Sequence, residues 1–280
     1  MIALNGLLWL QIGLIAFFGA LAFTGFMRSA GLGDAPDGRS AHSGVIPTSG
    51  GVGIIAGLGL ALCAMSVMFP PGGFASGLTQ VLSVIFAVGL LGLCDDSLTL
   101  GPKLKFGIML ILCAAAVWAI GPPTNFPGME RPVPIPYAVG FAGAVLWVFV
   151  VTNVVNFMDG VNGMIGVSLG IANFALFGIG LTTGSPTVTL LGGLMFATIA
   201  GFLPYNLRRR AEVFCGDVGA LVIGFTFAVT ILFLLRETPE RSLHLIGPLL
   251  ILPFLIDSLL TLIRRARHRE NLLQAHNQHY

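Results

Sequence analysis

The feature that most constrains this chain is the recurrence of apolar runs long enough to cross a bilayer. A span needs about 20 apolar residues. Nine segments qualify: 3–27, 50–69, 77–94, 105–121, 137–155, 163–182, 187–205, 218–235 and 244–263. The third, fourth and eighth lie near the short limit. With 55% hydrophobic and only 9% charged residues among 280, the chain has too little polar surface to face water, because a soluble domain carries roughly 25% charged residues. The predicted fold class is all-α, a polytopic integral membrane protein with about nine transmembrane helices. The first run, from about Ile2 to Met27, lacks a basic start. It also exceeds the roughly 7–15-residue core of a signal peptide and is read as a retained helix. The spans show no repeat, so residues 1–280 read as a single membrane domain.

Basic residues set the expected orientation. One set of alternate loops holds Arg28, Arg39, Lys103, Lys105, Arg208, Arg209, Arg210, Arg264, Arg265, Arg267 and Arg269, and the other holds Arg131, Arg236 and Arg241. Eleven against three places the first set in the cytoplasm, the N-terminus outside and the C-terminal tail inside. The same topology gathers Asp34, Asp37, Asp95, Asp96, Asp159, Glu212, Asp217 and Glu270 on the cytoplasmic face, leaving Glu130, Glu237 and Glu240 outside. Asp257 falls within the ninth span, with no broken pair of helices apparent around it. The net charge of +2, without a dense basic tract, gives no reason to expect a nucleic-acid partner. Cys63, Cys94, Cys113 and Cys215 lack metal spacing and are expected as free thiols, the last of them in a polar loop.

Five inner-face stretches carry chemistry. In "GLCDDSLTLGPKLK" (92–105), Asp95 and Asp96 repel one another at a helix end unless a cation or proton intervenes. Mg²⁺ is one remedy, since it takes oxygen ligands and usually binds one or two carboxylates plus substrate phosphates. Lys103 and Lys105 follow and could meet phosphate, although a basic loop also obeys the positive-inside rule. "TNVVNFMDGVNGMIG" (152–166) places Asn153 and Asn156 on one face of a helix end, before Asp159 enters the loop. Capping needs only one such residue; the cluster Asn153, Asn156, Asp159 and Asn162 favours a site. In "FCGDVGAL" (214–221), Asp217 sits between glycines at the start of the eighth span, a position that suits either a metal or the helix dipole. "APDGRSAHSGVIPTSGGVG" (35–53) offers Arg39 and His42, and the tail "RRARHRENLLQAHNQHY" offers His268, His276 and His279 behind arginines suited to anionic lipid.

Taken in order, these stretches resemble the polyprenyl-phosphate N-acetylhexosamine-1-phosphate transferases. That superfamily contains undecaprenyl-phosphate GlcNAc-1-phosphate transferase and phospho-MurNAc-pentapeptide transferase. The resemblance runs from about Asp34 to Tyr280. Arg39, Ser40, His42, Pro47, Thr48, Gly50 and Gly51 look like the family's first inner loop; Asp95 and Asp96 match its paired aspartates. Asn153, Asn156, Phe157, Asp159 and Gly160 match Asn-x-x-Asn-Phe-x-Asp-Gly, and Gly216, Asp217 and Gly219 match Gly-Asp-x-Gly. Asp257, Thr261, Arg264, Arg265, Ala275, His276 and His279 look like its histidine loop. The details look closest to the O-antigen and lipopolysaccharide initiating branch. Ser49 stands where relatives often carry Arg, and Asn162 where several carry a second Asp; both departures could shift sugar preference. Relatives usually continue into one or more further spans after the histidine loop, so this sequence is expected to be truncated or incomplete at its C-terminal side.

The resemblance implies transfer of an N-acetylhexosamine 1-phosphate from a UDP-sugar to undecaprenyl phosphate at the inner membrane of a bacterium. UMP is released and cell-envelope polysaccharide synthesis begins. It implies Mg²⁺, with Mn²⁺ as an alternative, membrane lipids as surroundings, and leaves a homodimer open. It marks Asp95, Asp96, Asp159 and Asp217 as catalytic or metal-binding. Asp217 would hold Mg²⁺ on the donor pyrophosphate, and Asp95 and Asp96 would complete the metal site or handle the proton of the lipid phosphate. Arg39, His42, Lys103, Lys105, Asn153, Asn156, His276 and His279 are marked for substrate. The alternative from a different class is a transporter or flippase for a phosphorylated lipid or anionic solute, since ionisable groups within the membrane mark transport pathways.

Overall fold

The computed structural model describes residues 6–30, 49–68, 75–126, 133–159, 162–208, 211–239 and 243–268. Eight of its helices are long and apolar enough to cross a membrane. They are α1 (Gly6–Ala30), α2 (Gly50–Met68), α3 (Leu78–Leu98), α4 (Pro102–Ile120), α5 (Tyr137–Phe157), α6 (Met164–Thr183), α7 (Pro186–Asn206) and α8 (Gly216–Glu237). Only helices and closed barrels satisfy backbone groups in hydrocarbon, and the described chain is a multi-pass helical membrane protein.

The ninth apolar segment differs from the sequence expectation of one helix over 244–263. It forms a 3₁₀ turn (Leu243–Leu245), a short helix α9 (Ile246–Leu250) and α10 (Leu252–Arg267). The two halves are bent by 64°. Pro253, in the first turn of α10, has no N–H to return to Leu249, so the ladder cannot run through. Asp257 therefore lies in the second half of a broken segment, a feature that the unbroken reading excluded.

Two other boundaries matter for the chemistry. Helix α3 runs on through Leu98, so Asp95 and Asp96 lie in its last turn, and α4 begins at Pro102, so Lys103 and Lys105 lie in its first turn. Hydropathy marks where lipid ends, whereas helical hydrogen bonding continues into the polar interface. The connection is tight: Thr99 adopts a left-handed φ of 47° and donates its N–H to Asp95 O at 2.9 Å. Proline at the first position of α4 needs no intrahelical donor.

Helix α8 is the axis of the bundle. Of its most apolar window 94% is buried, against 17% for α1. A helix apolar on every side belongs in a core, and α8 packs against α2, α3, α5 and α7, while α1 lies on α2 and α7. Two glycines bring neighbours onto its first turn. A Cβ on Gly51 would lie 2.0 Å from Gly219 N, and one on Gly92 would lie 2.6 Å from Val218 Cα. The N–H groups of Gly50 and Gly51 donate to Phe214 O at 3.0 Å and Cys215 O at 2.8 Å. The starts of α2 and α8 and the end of α3 thus meet at one end of the bundle.

At the opposite end, α4 and α5 are joined through a two-stranded antiparallel hairpin, β1 (Asn125–Phe126) and β2 (Val133–Pro134), with Asn125 opposite Pro134. Arg236, near the end of α8, donates to Ser76 O at 3.0 Å, to Ser76 Oγ at 2.7 Å and to Ile120 O. The Ser185 hydroxyl donates to Glu237, and Ala75 N–H to Thr187 Oγ1 at 3.0 Å. All four cysteines are free thiols, as expected; Cys215, read as a polar-loop residue, is buried at the start of α8.

Candidate active site

The end of the bundle away from the hairpin collects four acidic side chains from three separate parts of the chain. Asp95 and Asp96 come from the last turn of α3, Asp159 from the α5–α6 connection, and Asp217 from the first turn of α8. Lys105, in the first turn of α4, places its ammonium 2.5 Å from Asp95 Oδ2 and also contacts Asp217 Oδ2. Asp95 is held a second time, by the Leu100 N–H at 2.9 Å.

The first N–H groups of α8 have no intrahelical partners. Here carboxylates take them. Asp217 N–H donates to Asp96 Oδ1 at 3.2 Å, Val218 N–H to Asp96 Oδ2 at 3.3 Å, and Gly216 N–H to Asp159 Oδ2 at 2.8 Å. A negative group at a helix N-terminus is favoured by the dipole as well as by these bonds. Burial nevertheless pushes the Asp159 carboxyl up to about 7; the Gly216 N–H pulls the other way, while the Asp217 and Asp96 charges push in the same direction as burial.

The arrangement divides the four aspartates by what they touch. Both oxygens of Asp96 face backbone donors, and both oxygens of Asp95 are engaged by Leu100 and Lys105. Asp217 meets Lys105 and the Asp95 carboxyl but accepts from no backbone N–H among the described residues, and Asp159 takes one N–H through Oδ2; these two would lend an oxygen to a ligand. Among the described residues no three His, Cys, Asp or Glu side chains converge on one metal position. An oxygen-only set with two available carboxylates still fits Mg²⁺, which commonly takes one or two protein carboxylates and draws its other ligands from water and substrate phosphate.

The remaining expected residues fall as follows. Asn153 is buried and turns its amide onto its own helix, donating to Phe149 O at 2.7 Å. Asn156 keeps a buried Oδ1 that accepts no hydrogen bond among the described residues. Lys103 is exposed, with no carboxylate partner among them. Arg39 and His42 lie outside the described residues, as do Ser40, Pro47 and Thr48 of the first inner loop, Gly160, and Ala275, His276 and His279 of the tail. Glu212, expected on the same face, belongs to a separate ion-pair group: it lies 3.2 Å from Arg28 and also pairs with Arg208. The Asn162 amide reaches Arg208 O at 3.4 Å.

One residue that positions the site escaped the sequence reading. Asn206, at the end of α7, accepts from Gly163 N–H at 2.9 Å and donates to Val213 O at 3.0 Å. It ties the α5–α6 connection, which carries Asp159, to the segment leading into Asp217. Its only sequence signal is a buried-type position holding a carboxamide at the end of an apolar run.

Comparison with known proteins identifies the family of the chain. The model of the family described as glycosyl transferase family 4 matches residues 78–235, which include Asp95, Asp96, Lys105, Asp159 and Asp217. The chain is 26% identical over 252 residues to a probable undecaprenyl-phosphate N-acetylglucosaminyl 1-phosphate transferase of Bacillus subtilis, covering 88% of this chain and 67% of the relative. It is 27% identical over 270 residues to the undecaprenyl-phosphate alpha-N-acetylglucosaminyl 1-phosphate transferase of Escherichia coli K12, covering 90% and 68%. A Salmonella typhi protein of the same description is 28% identical over 264 residues, covering 89% and 68%. With the family model spanning more than half of its length, and the acidic cluster inside that span, the chain belongs to glycosyl transferase family 4 and is a multi-pass membrane transferase.

Proposed function

We propose that the protein transfers N-acetylglucosamine 1-phosphate from UDP-N-acetylglucosamine to undecaprenyl phosphate, releasing UMP, on the cytoplasmic face of a bacterial inner membrane. The observation that carries this reading is the convergence of Asp95, Asp96, Asp159 and Asp217 with Lys105 at the start of the buried helix α8. In the balanced reaction, an oxygen of the lipid phosphate bonds to the sugar-linked phosphorus of the donor. The bond from that phosphorus to the bridging oxygen breaks, and UMP leaves with the electron pair.

Both substrates are anions, so the chain's task is mostly positioning and charge stabilisation. Asp217 and Asp159 would hold Mg²⁺, which when bound screens the donor pyrophosphate. Asp96 grips the N–H groups of Asp217 and Val218 and so fixes the direction of Asp217. Lys105, Arg39, His42, His276 and His279 are assigned to phosphate and sugar, and Asn156, with its unpaired oxygen, to a donor group on the nucleotide or sugar. Initiation of O-antigen synthesis is the matching place in envelope assembly. The broken α9–α10 segment around Asp257 is the feature that a transporter would use, but membership in a transferase family weighs against that reading.

The decisive measurement is UMP release by the purified protein with undecaprenyl phosphate, Mg²⁺ and a panel of labelled UDP-sugars. A lipid-linked sugar phosphate formed from UDP-N-acetylglucosamine is expected; failure of every donor to yield UMP would sink the proposal. Orientation has its own test. Reporter fusions after Lys105 and Arg208 should report the cytoplasm, and fusions near Phe126 and Pro239 the exterior. An exterior signal at Lys105 would separate the aspartates from the nucleotide pool.

A further inference from the structure

We infer that Lys105 is a built-in counter-cation of the acidic cluster, which cedes Asp217 when a divalent metal ion arrives. The inference rests on the proposed role of Asp217 in metal binding. Lys105 touches two carboxylates that are not equally held. Asp95 carries a second anchor, the Leu100 N–H at 2.9 Å, whereas the other contact of Lys105 is with the more exposed Asp217. The side chains of Lys105 and Asp95 are 12% and 13% exposed, that of Asp217 27%. The Asp95 end is thus fixed by a backbone N–H, whereas the Asp217 end, which also meets the Asp95 carboxyl, has no such anchor among the described residues and is the more exposed of the two.

The electrostatic reason for the bridge is plain. Asp96 and Asp159 sit on the same helix start as Asp217, so four acids share one ammonium among the described residues. Carboxylates so close disfavour one another's ionisation unless a cation stands between them. Without metal, Lys105 is that cation. Lysine is a compact charge on a flexible four-carbon stem, so it can pivot about Asp95 without disturbing the backbone of α4. After the exchange its charge remains beside the site, where a phosphate would meet it.

Lys105 therefore has two opposed effects: it weakens metal binding to the resting protein and supports turnover of the loaded one. A lysine that serves phosphate alone would have only the second. Lys103, two residues away, exposed and without a carboxylate partner among the described residues, controls for a general charge effect.

The test uses the whole chain in detergent, without donor or acceptor, and Mn²⁺ as the probe, followed by electron paramagnetic resonance. Lys105→Gln should bind Mn²⁺ about tenfold more tightly than the unaltered protein, a modest share of the contact energy of two unit charges. Its UMP release should nevertheless fall. Lys105→Arg and Lys103→Gln should bind Mn²⁺ with near-normal affinity, and adding Asp217→Asn to Lys105→Gln should abolish the gain. A measurement on the unaltered protein needs no variant to fold: acylation of the Lys105 amine, relative to Lys103 and read by mass spectrometry, should rise with saturating Mn²⁺. If Asp217→Asn weakens Mn²⁺ binding but Lys105→Gln leaves it unchanged, or if Lys105 acylation ignores Mn²⁺, the counter-cation inference is overturned and the metal reading stands. If Asp217→Asn has no effect on Mn²⁺ in any background, both fall.

Discussion

The two ends of the bundle treat charge in opposite ways. At the hairpin end, Arg236 spends its guanidinium on neutral oxygens of Ser76 and Ile120, and Glu237 accepts from the neutral hydroxyl of Ser185. Each charge there fastens two helices together. At the other end, four carboxylates crowd around Lys105 and the first turn of α8. Negative charge exceeds positive within that cluster, and one helix start is gripped by two acids. The Arg236 clasp rests on protein oxygens alone, although Glu237 keeps one buried oxygen without a partner among the described residues; a cluster with surplus charge of one sign is finished only when something of the other sign binds. The same long helices thus carry a structural end and a chemical end, and the difference can be tested.

The largest expected effect is at the chemical end. Asp217→Asn keeps size and shape but removes the charge that a hard cation needs, and should lower UMP release by about 10²–10³-fold, the scale of losing one transition-state stabiliser. Excess Mg²⁺ should restore part of it. Near-normal release at limiting Mg²⁺ would erase the contrast between the ends. Asp96→Asn should cost less, roughly tenfold, and excess Mg²⁺ should not repair it, because Asp96 acts through two long bonds from backbone N–H groups, at 3.2 and 3.3 Å, and the amide oxygen of Asn can still accept one of them. Rescue by metal would instead make Asp96 a ligand.

At the hairpin end the expected losses are of stability. Arg236→Gln should lower the free energy of unfolding by about 1 kcal/mol, the typical net worth of a hydrogen bond, with turnover per folded molecule unchanged. Reduced turnover at unchanged thermal stability would show that the clasp communicates with the site. The smallest effect concerns pH. Because burial pushes Asp159 up to about 7, it takes a proton as pH falls through that value and then competes with Mg²⁺. The Mg²⁺ concentration needed for half-maximal UMP release should therefore rise as pH drops from about 8 to about 6, and the rise should be smaller in Asp159→Asn. A Mg²⁺ requirement flat across that window would remove Asp159 from the metal site.

Much of this was legible from the residues in order. Eight of nine apolar runs became the expected helices within a few residues, because lipid exposure and helix formation both follow from local composition. The gathering of Asp95, Asp96, Asp159 and Asp217 at one end follows from the alternation of the spans. The ninth segment was misread because mean hydropathy does not register a missing donor, and Pro253 breaks the ladder at a point where the composition is still apolar. The role expected for Lys105 as a phosphate contact did not include its bridge between two aspartates, since its partners are ten and 112 residues away in sequence.

What the sequence alone determined is eight of the membrane segments, the end of the bundle that the stretches carrying Asp95 and Asp96, Asp159 and Asp217 reach, and the chemical type of the groups there. What only the tertiary structure decided is the division of labour among them. Asp95 and Asp96 are neighbours in sequence and identical in chemistry, but on a helix consecutive side chains point about 100° apart. One therefore meets Lys105 and Leu100, and the other meets the first turn of α8. Likewise Asn153 and Asn156 look equivalent in the motif, yet one is spent on Phe149 O and the other keeps a buried oxygen without a partner among the described residues. Local sequence fixes a side chain's bearing on its own helix; what stands in that direction depends on how the helices pack, and here the close approaches at Gly51 and Gly92 that seat α2 and α3 on α8 set it.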